Sequence, residues 1–273
     1  MSDQQHGPLG QSSAYPDQYD PAQLHAIPRK LGRLEIGVGE ESLPFHGADV
    51  WNAYELSWLN PKGKPVVALM FMVVPANSPN IVESKSLKLY LGSFNQTVMA
   101  SVGQVIDTIA ADIGKVVGAK VRIELTELAW QGRFEVVSLP GRCIDDLDVD
   151  VSAYEVDSSL LTTEDQFVQI QLHSHLLRSC CPVTGQPDWA SVLIEYSGNK
   201  ICEEGLLKYL ISFRSNQEFH EQCVERIFMD ISRQCKPEKL SVYARYTRRG
   251  GIDINPFRSS DPRSMANLRL VRQ

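Results

Sequence analysis

Tyr90-Leu91-Gly92-Ser93-Phe94 returns as Tyr209-Leu210-Ile211-Ser212-Phe213, 119 residues further along the chain. A second echo accompanies it. Gly63-Lys64-Pro65-Val66-Val67-Ala68 returns as Gly185-Gln186-Pro187-Asp188-Trp189-Ala190, at an offset of 122. Two echoes at nearly one offset argue for a duplicated unit rather than coincidence. Working outward, residues 66–74 (VVALMFMVV) form an apolar run too short for a lone helix and rich in β-branched residues, which fits a buried strand. Residues 84–94 read as a helix. Val102, Val105, Ile106, Ile109, Ile113 and Val117 keep the three-and-four spacing of one helix face. Residues 120–128 and 133–139 read as strands joined by a turn containing Gly132.

The later block repeats that order. Residues 167–177 and 189–196 read as strands, 203–213 and 219–235 as helices. Phe219, Cys223, Val224, Ile227, Phe228 and Ile231 share one face of the second helix. Residues 240–247 and 252–255 read as strands around Arg248-Arg249-Gly250-Gly251, where glycines readily take positive φ. The expected class is α+β, built of two tandem ββααββ units. We divide the chain into a lead-in (1–45), a first half (46–145) and a second half (146–273), with the acidic stretch 141–151 (GRCIDDLDVDV) as connector.

Composition narrows the function. At 273 residues, the chain has room for roughly two domains of about 150 residues. A formal charge of −6 argues against a general nucleic-acid binder. No apolar run is long enough to span a membrane, and the first 25 residues lack the pattern of a secretory signal. The six cysteines (143, 180, 181, 202, 223 and 235) therefore read as reduced thiols of a cytoplasmic protein. No CxxC occurs and no Cys/His pair has zinc-like spacing on both sides, so no metal is expected.

A duplication whose halves differ at equivalent positions lets one half specialise. At the offset of 122, Leu59 stands where Cys181 stands in the second half, and Val66 where Asp188 stands. Only the second half carries this thiol–carboxyl pair. It lies in Ser179-Cys180-Cys181-Pro182-Val183-Thr184-Gly185-Gln186-Pro187-Asp188-Trp189, a Pro- and Gly-punctuated loop between two strands. Cys181 could be a nucleophile and Asp188 a proton donor. On the residues alone, two cysteines as small core fillers and an aspartate capping a turn is the commoner arrangement.

Three other segments could carry chemistry. Glu218-Phe219-His220-Glu221-Gln222 opens a helix, where His220 and Glu221 could bind a polar ring or assist proton transfer. Acidic residues in a first turn are also ordinary capping. In Val82-Glu83-Ser84-Lys85-Ser86-Leu87-Lys88, Glu83 could grip an N–H-rich heterocycle, and Ser84, Lys85 and the helix-start amides a phosphate. A solvated helix start is the alternative. Arg245-Tyr246-Thr247-Arg248-Arg249-Gly250-Gly251 places basic side chains on a tight turn, suited to the phosphate that distinguishes NADPH, or simply exposed. Gly37-Val38-Gly39 lacks the third glycine of a dinucleotide fingerprint.

Taken together, residues 82–97 (VESKSLKLYLGSFNQT), 179–189 (SCCPVTGQPDW), 218–228 (EFHEQCVERIF) and 241–256 (SVYARYTRRGGIDINP) resemble the bimodular form of NADPH-dependent 7-cyano-7-deazaguanine reductase, of the queuosine pathway. The resemblance runs from about Tyr19 to the C-terminal Leu270-Val271-Arg272-Gln273. It implies a tunnelling fold (T-fold), in which ββααββ units assemble around a central barrel. It implies that Cys181 attacks the nitrile carbon to give a covalent thioimide, with Asp188 as proton donor. The product would be 7-aminomethyl-7-deazaguanine, formed with two NADPH per turnover as co-substrate. By the same match Val82, Glu83, Ser84, His220 and Glu221 contact the deazaguanine, and Ser84, Lys85, Arg249 and Gly250 contact NADPH. The family implies a deazapurine substrate, no direct nucleic-acid or membrane partner, and, with the duplicated unit, a homodimer. Cys180 departs from the pattern, since asparagine often stands before the nucleophile in relatives. Two readings compete: a pterin-type enzyme of the same fold using zinc, and an RNA-binding or assembly module using the 245–249 strip.

Overall fold

The computed structural model describes residues 15–39, 42–128 and 135–273. The Gly132 turn, Arg133 and the first 14 residues lie outside the described residues. The chain forms two compact units. The first comprises Met1–Leu31, Asp49–Glu135 and Arg248–Asp253, the second Gly32–Ala48, Val136–Thr247 and Ile254–Gln273. Both mix helices and strands, and no described helix is long and apolar enough to cross a membrane.

In the first unit, β1 (Ala26–Pro28) pairs antiparallel with β4 (Asn80–Val82), so part of the expected lead-in carries structure. β2 (His46–Leu59), β3 (Pro65–Pro75) and β5 (Arg122–Glu127) follow the order β5–β3–β2. Although 66–74 is continuously apolar, β3 buries alternate residues, Ala68, Met70, Met72 and Val74, as a strand with one core face does. In the chain, helix α1 (Arg29–Glu35) comes after β1, and helices α2 (Ser84–Gly92) and α3 (Val102–Val117) come between β4 and β5, with Val105, Ile109, Ile113 and Val117 of α3 fully buried. Ser101 Oγ accepts from Gln104 N at 3.1 Å to start α3. Gly118, at φ +73°, ends it where a Cβ would stand 2.6 Å from Pro79.

Strand β2 is absent from the sequence reading because its core face is partly polar: Asp49 and Asn52 are buried. Asp49 pairs with Arg29, and Asn52 Nδ2 donates to Asp253 Oδ1 at 2.7 Å. Residues 135–139 correct the expectation of a strand over 133–139. Val136 makes only an isolated bridge to Arg269, and Val136 and Val137 are both exposed, so the one buried side chain, Leu139, leaves no alternating face to set a register.

In the second unit, β6 (Arg142–Cys143), β7 (Thr163–Ser174), β9 (Pro187–Ile201), β10 (Lys239–Tyr246) and β11 (Ile252–Ser259) run in the order β11–β10–β9–β7–β6. The expected strand 167–177 ends at Ser174 and restarts as β8 (Arg178–Cys180), which pairs with β9. Helices α4 (Glu203–Ser212) and α5 (His220–Cys235) complete the unit.

The letter echo is also a structural echo. In the first unit Tyr90 OH donates to Asp112 Oδ2 at 2.6 Å, its ring meets Phe94 edge-on at 5.3 Å, and Ser93 Oγ donates to Tyr90 O at 2.6 Å. In the second, Tyr209 OH donates to Asp230 Oδ2 at 2.7 Å, its ring meets Phe213 edge-on at 5.3 Å, and Ser212 Oγ donates to Tyr209 O at 2.6 Å. Burial, reinforced by the aspartate, pushes both phenols up, so each tyrosine stays a neutral donor.

A buried ion triad sits within the second unit. Glu225 accepts from Arg33 at 2.9 and 2.8 Å and from Arg258 at 3.1 and 2.7 Å. Glu225→Gln removes the carboxylate between two buried guanidinium groups. It is expected to destabilise the chain by about 3–5 kcal/mol in denaturant unfolding. A loss no larger than about 1 kcal/mol would mean that the triad contributes no more than a surface pair does.

Candidate active site

The thiol of interest is placed by a hairpin. Strand β8 pairs with β9 so that Ser179 faces Asp188 and Cys180 faces Pro187. The chain between them turns at Cys181, whose N–H donates to Gln186 O at 2.9 Å while its carbonyl accepts from Gly185 N at 3.0 Å. Gly185 takes φ +68°, the left-handed value such a turn needs. Cys181 is only 5% exposed, and Asp188 3%. Cys180 is held separately: its N–H donates to Asn216 O at 2.8 Å, and its sulfur lies 3.8 Å from Arg214 O.

Asp188 meets α5 through His220, the first residue of that helix. Nε2 of His220 lies 3.4 Å from Asp188 Oδ2, within ion-pair reach but long for a hydrogen bond. The imidazole stacks face to face on Tyr246 of β10, with centroids 3.7 Å apart and planes 1° from parallel. Phe219 caps α5 by donating its N–H to the Gln222 side chain at 3.1 Å, and Glu221 is buried in the first turn. Glu218, by contrast, is committed to Arg226.

Three buried polar atoms around this carboxylate have no hydrogen-bond partner: Ser179 Oγ, His220 Nδ1 and Tyr246 OH. Each costs about 1–3 kcal/mol if left unpaired. Such a concentration is what a site built to receive a polar ligand leaves behind. The Cys223 sulfur lies beside the Ser179 and Tyr246 hydroxyls, close enough for each to act on it. None of these contacts has hydrogen-bond geometry, so both hydroxyls are unsatisfied. Burial, with Glu218 nearby, pushes the Cys223 thiol well up, which keeps it protonated and inert. Ser179, Tyr246 and Cys223 are not singled out by the sequence. The pairing of Ser179 with Asp188 across a hairpin is the signal that would have found the first.

The other expected residues lie in the first unit. Val82 is buried in β4. Glu83 caps α2 with its own side chain: Oε1 accepts from Lys85 N at 2.7 Å and Oε2 from Ser86 N at 2.8 Å. The helix-start amides of Lys85 and Ser86 are thus taken by Glu83, which corrects the expectation that they hold a phosphate. Each carboxylate oxygen keeps a further lone pair for a ligand N–H. Burial raises the Glu83 pKa, opposed by those two amides and by Lys88 and Lys85.

Arg249 exchanges backbone hydrogen bonds with Ile252 around Gly250 and Gly251, both at positive φ. A Cβ on Gly250 would stand 3.1 Å from the Lys88 side chain, so this tip lies against α2, the helix that carries Ser84 and Lys85. Lys88 stands in the segment read from the sequence but is given no role there, although its spacing from Ser84 and Lys85 puts it on their helix face. Arg245 is a correction. It is buried in β10, donating to Gln273, Tyr243 and Asn267 at 2.9, 2.7 and 2.8 Å, and does not belong to an exposed basic strip.

A buried carboxylate beside an imidazole, unpaired polar atoms near it and a sheltered thiol in the same hairpin make a candidate enzyme site on a fold of mixed α and β structure. Residues 15–125 match the family described as nitrile reductase, 7-cyano-7-deazaguanine-reductase N-term, and residues 187–264 the one described as QueF-like protein. The chain is 54% identical over 263 residues to the NADPH-dependent 7-cyano-7-deazaguanine reductase of Cupriavidus necator, covering 95% of each. It is 54% identical over 277 residues to that of Ralstonia nicotianae, covering 100% of each. Against that of Cupriavidus metallidurans it is 55% identical over 259 residues, covering 94% of each. The chain belongs to the family of NADPH-dependent 7-cyano-7-deazaguanine reductases.

Proposed function

We propose that this chain reduces the nitrile of 7-cyano-7-deazaguanine to the aminomethyl group of 7-aminomethyl-7-deazaguanine, in the biosynthesis of queuosine. Family membership makes it an NADPH-dependent oxidoreductase. The observation that supports the fuller reading is the β8–β9 hairpin, which carries Cys181 in its turn and the buried Asp188 on its return strand, with His220 Nε2 3.4 Å from Asp188 Oδ2. Cys181 adds to the nitrile carbon through sulfur while its thiol proton passes by way of Asp188 to the nitrile nitrogen, giving a neutral thioimide on the enzyme, and a second proton, taken from solvent, gives the protonated thioimide. A bare nitrile accepts hydride poorly, whereas a protonated thioimide accepts it well. The burial of Cys181 keeps water from the intermediates until reduction is complete. His220 orients Asp188 and, with Glu221, Val82, Glu83 and Ser84, contacts the deazaguanine. Glu83 accepts from its guanidine-like edge.

The residues proposed for NADPH fit a phosphate through side-chain charge rather than helix amides. Ser84 and Lys85 open α2, Lys88 follows one turn later, and Arg249 and Gly250 form the tip against that helix. When bound, NADPH supplies hydride, and carrying a nitrile to a primary amine takes four electrons, hence two NADPH. We also propose the finer architecture: a T-fold of two tandem ββααββ units, with halves at 46–145 and 146–273. The paired Tyr–Asp, Tyr–Phe and Ser–Tyr contacts support it. A homodimer and a cytoplasmic setting complete the proposal. Six unbridged cysteines suit the latter.

The stoichiometry tests the function. With 7-cyano-7-deazaguanine in limiting amount, two NADPH are expected to be oxidised for each primary amine formed. Release of ammonia, or accumulation of a carboxamide, would assign the chain to nitrile hydrolysis or hydration instead.

A further inference from the structure

The acidic connector contains a short strand, and that strand builds a second constellation. β6 runs parallel to β7 with Cys143 in register with His173. His175 follows just past the end of β7, and the two imidazole centroids are 5.3 Å apart. One donor atom from each of Cys143, His173 and His175 lies within 4.8 Å of the other two. A tetrahedral zinc ion, with Zn–S of about 2.3 Å and Zn–N of about 2.0–2.1 Å, sets its ligand atoms roughly 3.3–3.6 Å apart. The observed spacing, up to 4.8 Å, is wider than this, so the three side chains draw together on binding.

The groups behind the rings suit a metal. Nδ1 of His173 lies 3.0 Å from the Pro140 carbonyl oxygen, which can only accept. In the neutral ring that nitrogen therefore carries the proton, and the lone pair is left on Nε2. Nδ1 of His175 lies 2.7 Å from Ser191 Oγ. Asp145 accepts from Ser174 Oγ at 2.6 Å and from His175 N at 3.0 Å, which fixes the segment bearing both histidines and adds a negative charge beside it. Cys143 is exposed, His173 buried and His175 half-buried, so the set opens to solvent on the thiol side. None of these residues takes part in the chemistry proposed for Cys181.

We propose that Cys143, His173 and His175 bind one divalent late-transition-metal ion, with a fourth position open to water. A set of one sulfur and two imidazole nitrogens suits zinc, being softer than magnesium or calcium accept. Binding displaces the Cys143 thiol proton to solvent and leaves the thiolate on the metal. The site runs against the expectation, drawn from residue spacing, that the chain holds no metal.

Cobalt(II) makes the test direct. The metal-stripped full chain is titrated with Co²⁺ alone, then with Zn²⁺ against a chromophoric chelator. One ion per chain is expected, with a thiolate-to-cobalt charge-transfer band in the near ultraviolet that zinc abolishes. Cys143→Ala, at an exposed position, removes the band. His175→Gln weakens zinc binding by at least about 100-fold. Thermal unfolding of both variants without metal separates lost ligands from lost fold. A band that survives Cys143→Ala puts the sulfur elsewhere among the six cysteines and overturns the site. So does zinc binding that neither substitution weakens, or no binding at millimolar metal.

Discussion

Cys181→Ala is expected to lower 7-cyano-7-deazaguanine-dependent NADPH oxidation by at least about 10⁴-fold, because the step it removes has no substitute in the site. The same substitution abolishes the covalent adduct that intact-mass analysis detects after mixing wild-type protein with the nitrile alone. Cys180→Ala is the necessary partner experiment. The two sulfurs are adjacent in sequence, but Cys180 sits in a strand with its sulfur near the Arg214 carbonyl, whereas Cys181 opens the turn that leads to Asp188. Cys180→Ala is therefore expected to keep both activity and adduct. Inactive Cys180→Ala with active Cys181→Ala would move the nucleophile by one residue and undo the assignment.

Asp188→Asn is expected to slow turnover by about 10²- to 10³-fold, the range of a lost general acid. Substrate affinity should change far less. Asparagine keeps the shape and can still meet His220 Nε2, 3.4 Å away in the wild type, but it has no proton of suitable acidity to give. Because Asp188 is buried beside Tyr246 and Cys223, denaturant unfolding of the variant is measured alongside. A defect confined to KM, with kcat intact, would recast Asp188 as a binding residue.

Helices α2 to α5 and the turn from Cys181 to Asp188 were legible because local pattern governs them, whereas the short helix Arg29–Glu35 was not. The face of α3 is a plain three-and-four repeat, and prolines and glycine punctuate the stretch from Cys181 to Asp188. Elements set by distant partners were not legible. β2 hides behind buried Asp49 and Asn52, whose partners Arg29 and Asp253 lie far away in sequence. Arg245 looked like a surface cation because its acceptors, Asn267 and Gln273, come from the C-terminal segment. The Cys143–His173–His175 set was not legible from spacing because the two-residue strand β6 brings Cys143 level with His173, 30 positions further along the chain. Glu83 was legible as a carboxylate at a helix start, but not its occupation by that helix's own amides.

The turn between β8 and β9 acts as a ruler. Ser179 and Asp188 are cross-strand partners, and the peptide of Cys181 is tied at both ends to Gly185 and Gln186. Because β9 is also held in register by β7 and β10, adding or deleting one residue in the turn would slip β8 along β9 and turn Ser179 away from the face that Asp188 presents. Drift in this turn is thus open to exchanges of letter at its solvent-facing tip and closed to changes of length. The seven-position interval between sulfur and acid is a mechanical property of the hairpin before it is a signature of the chemistry.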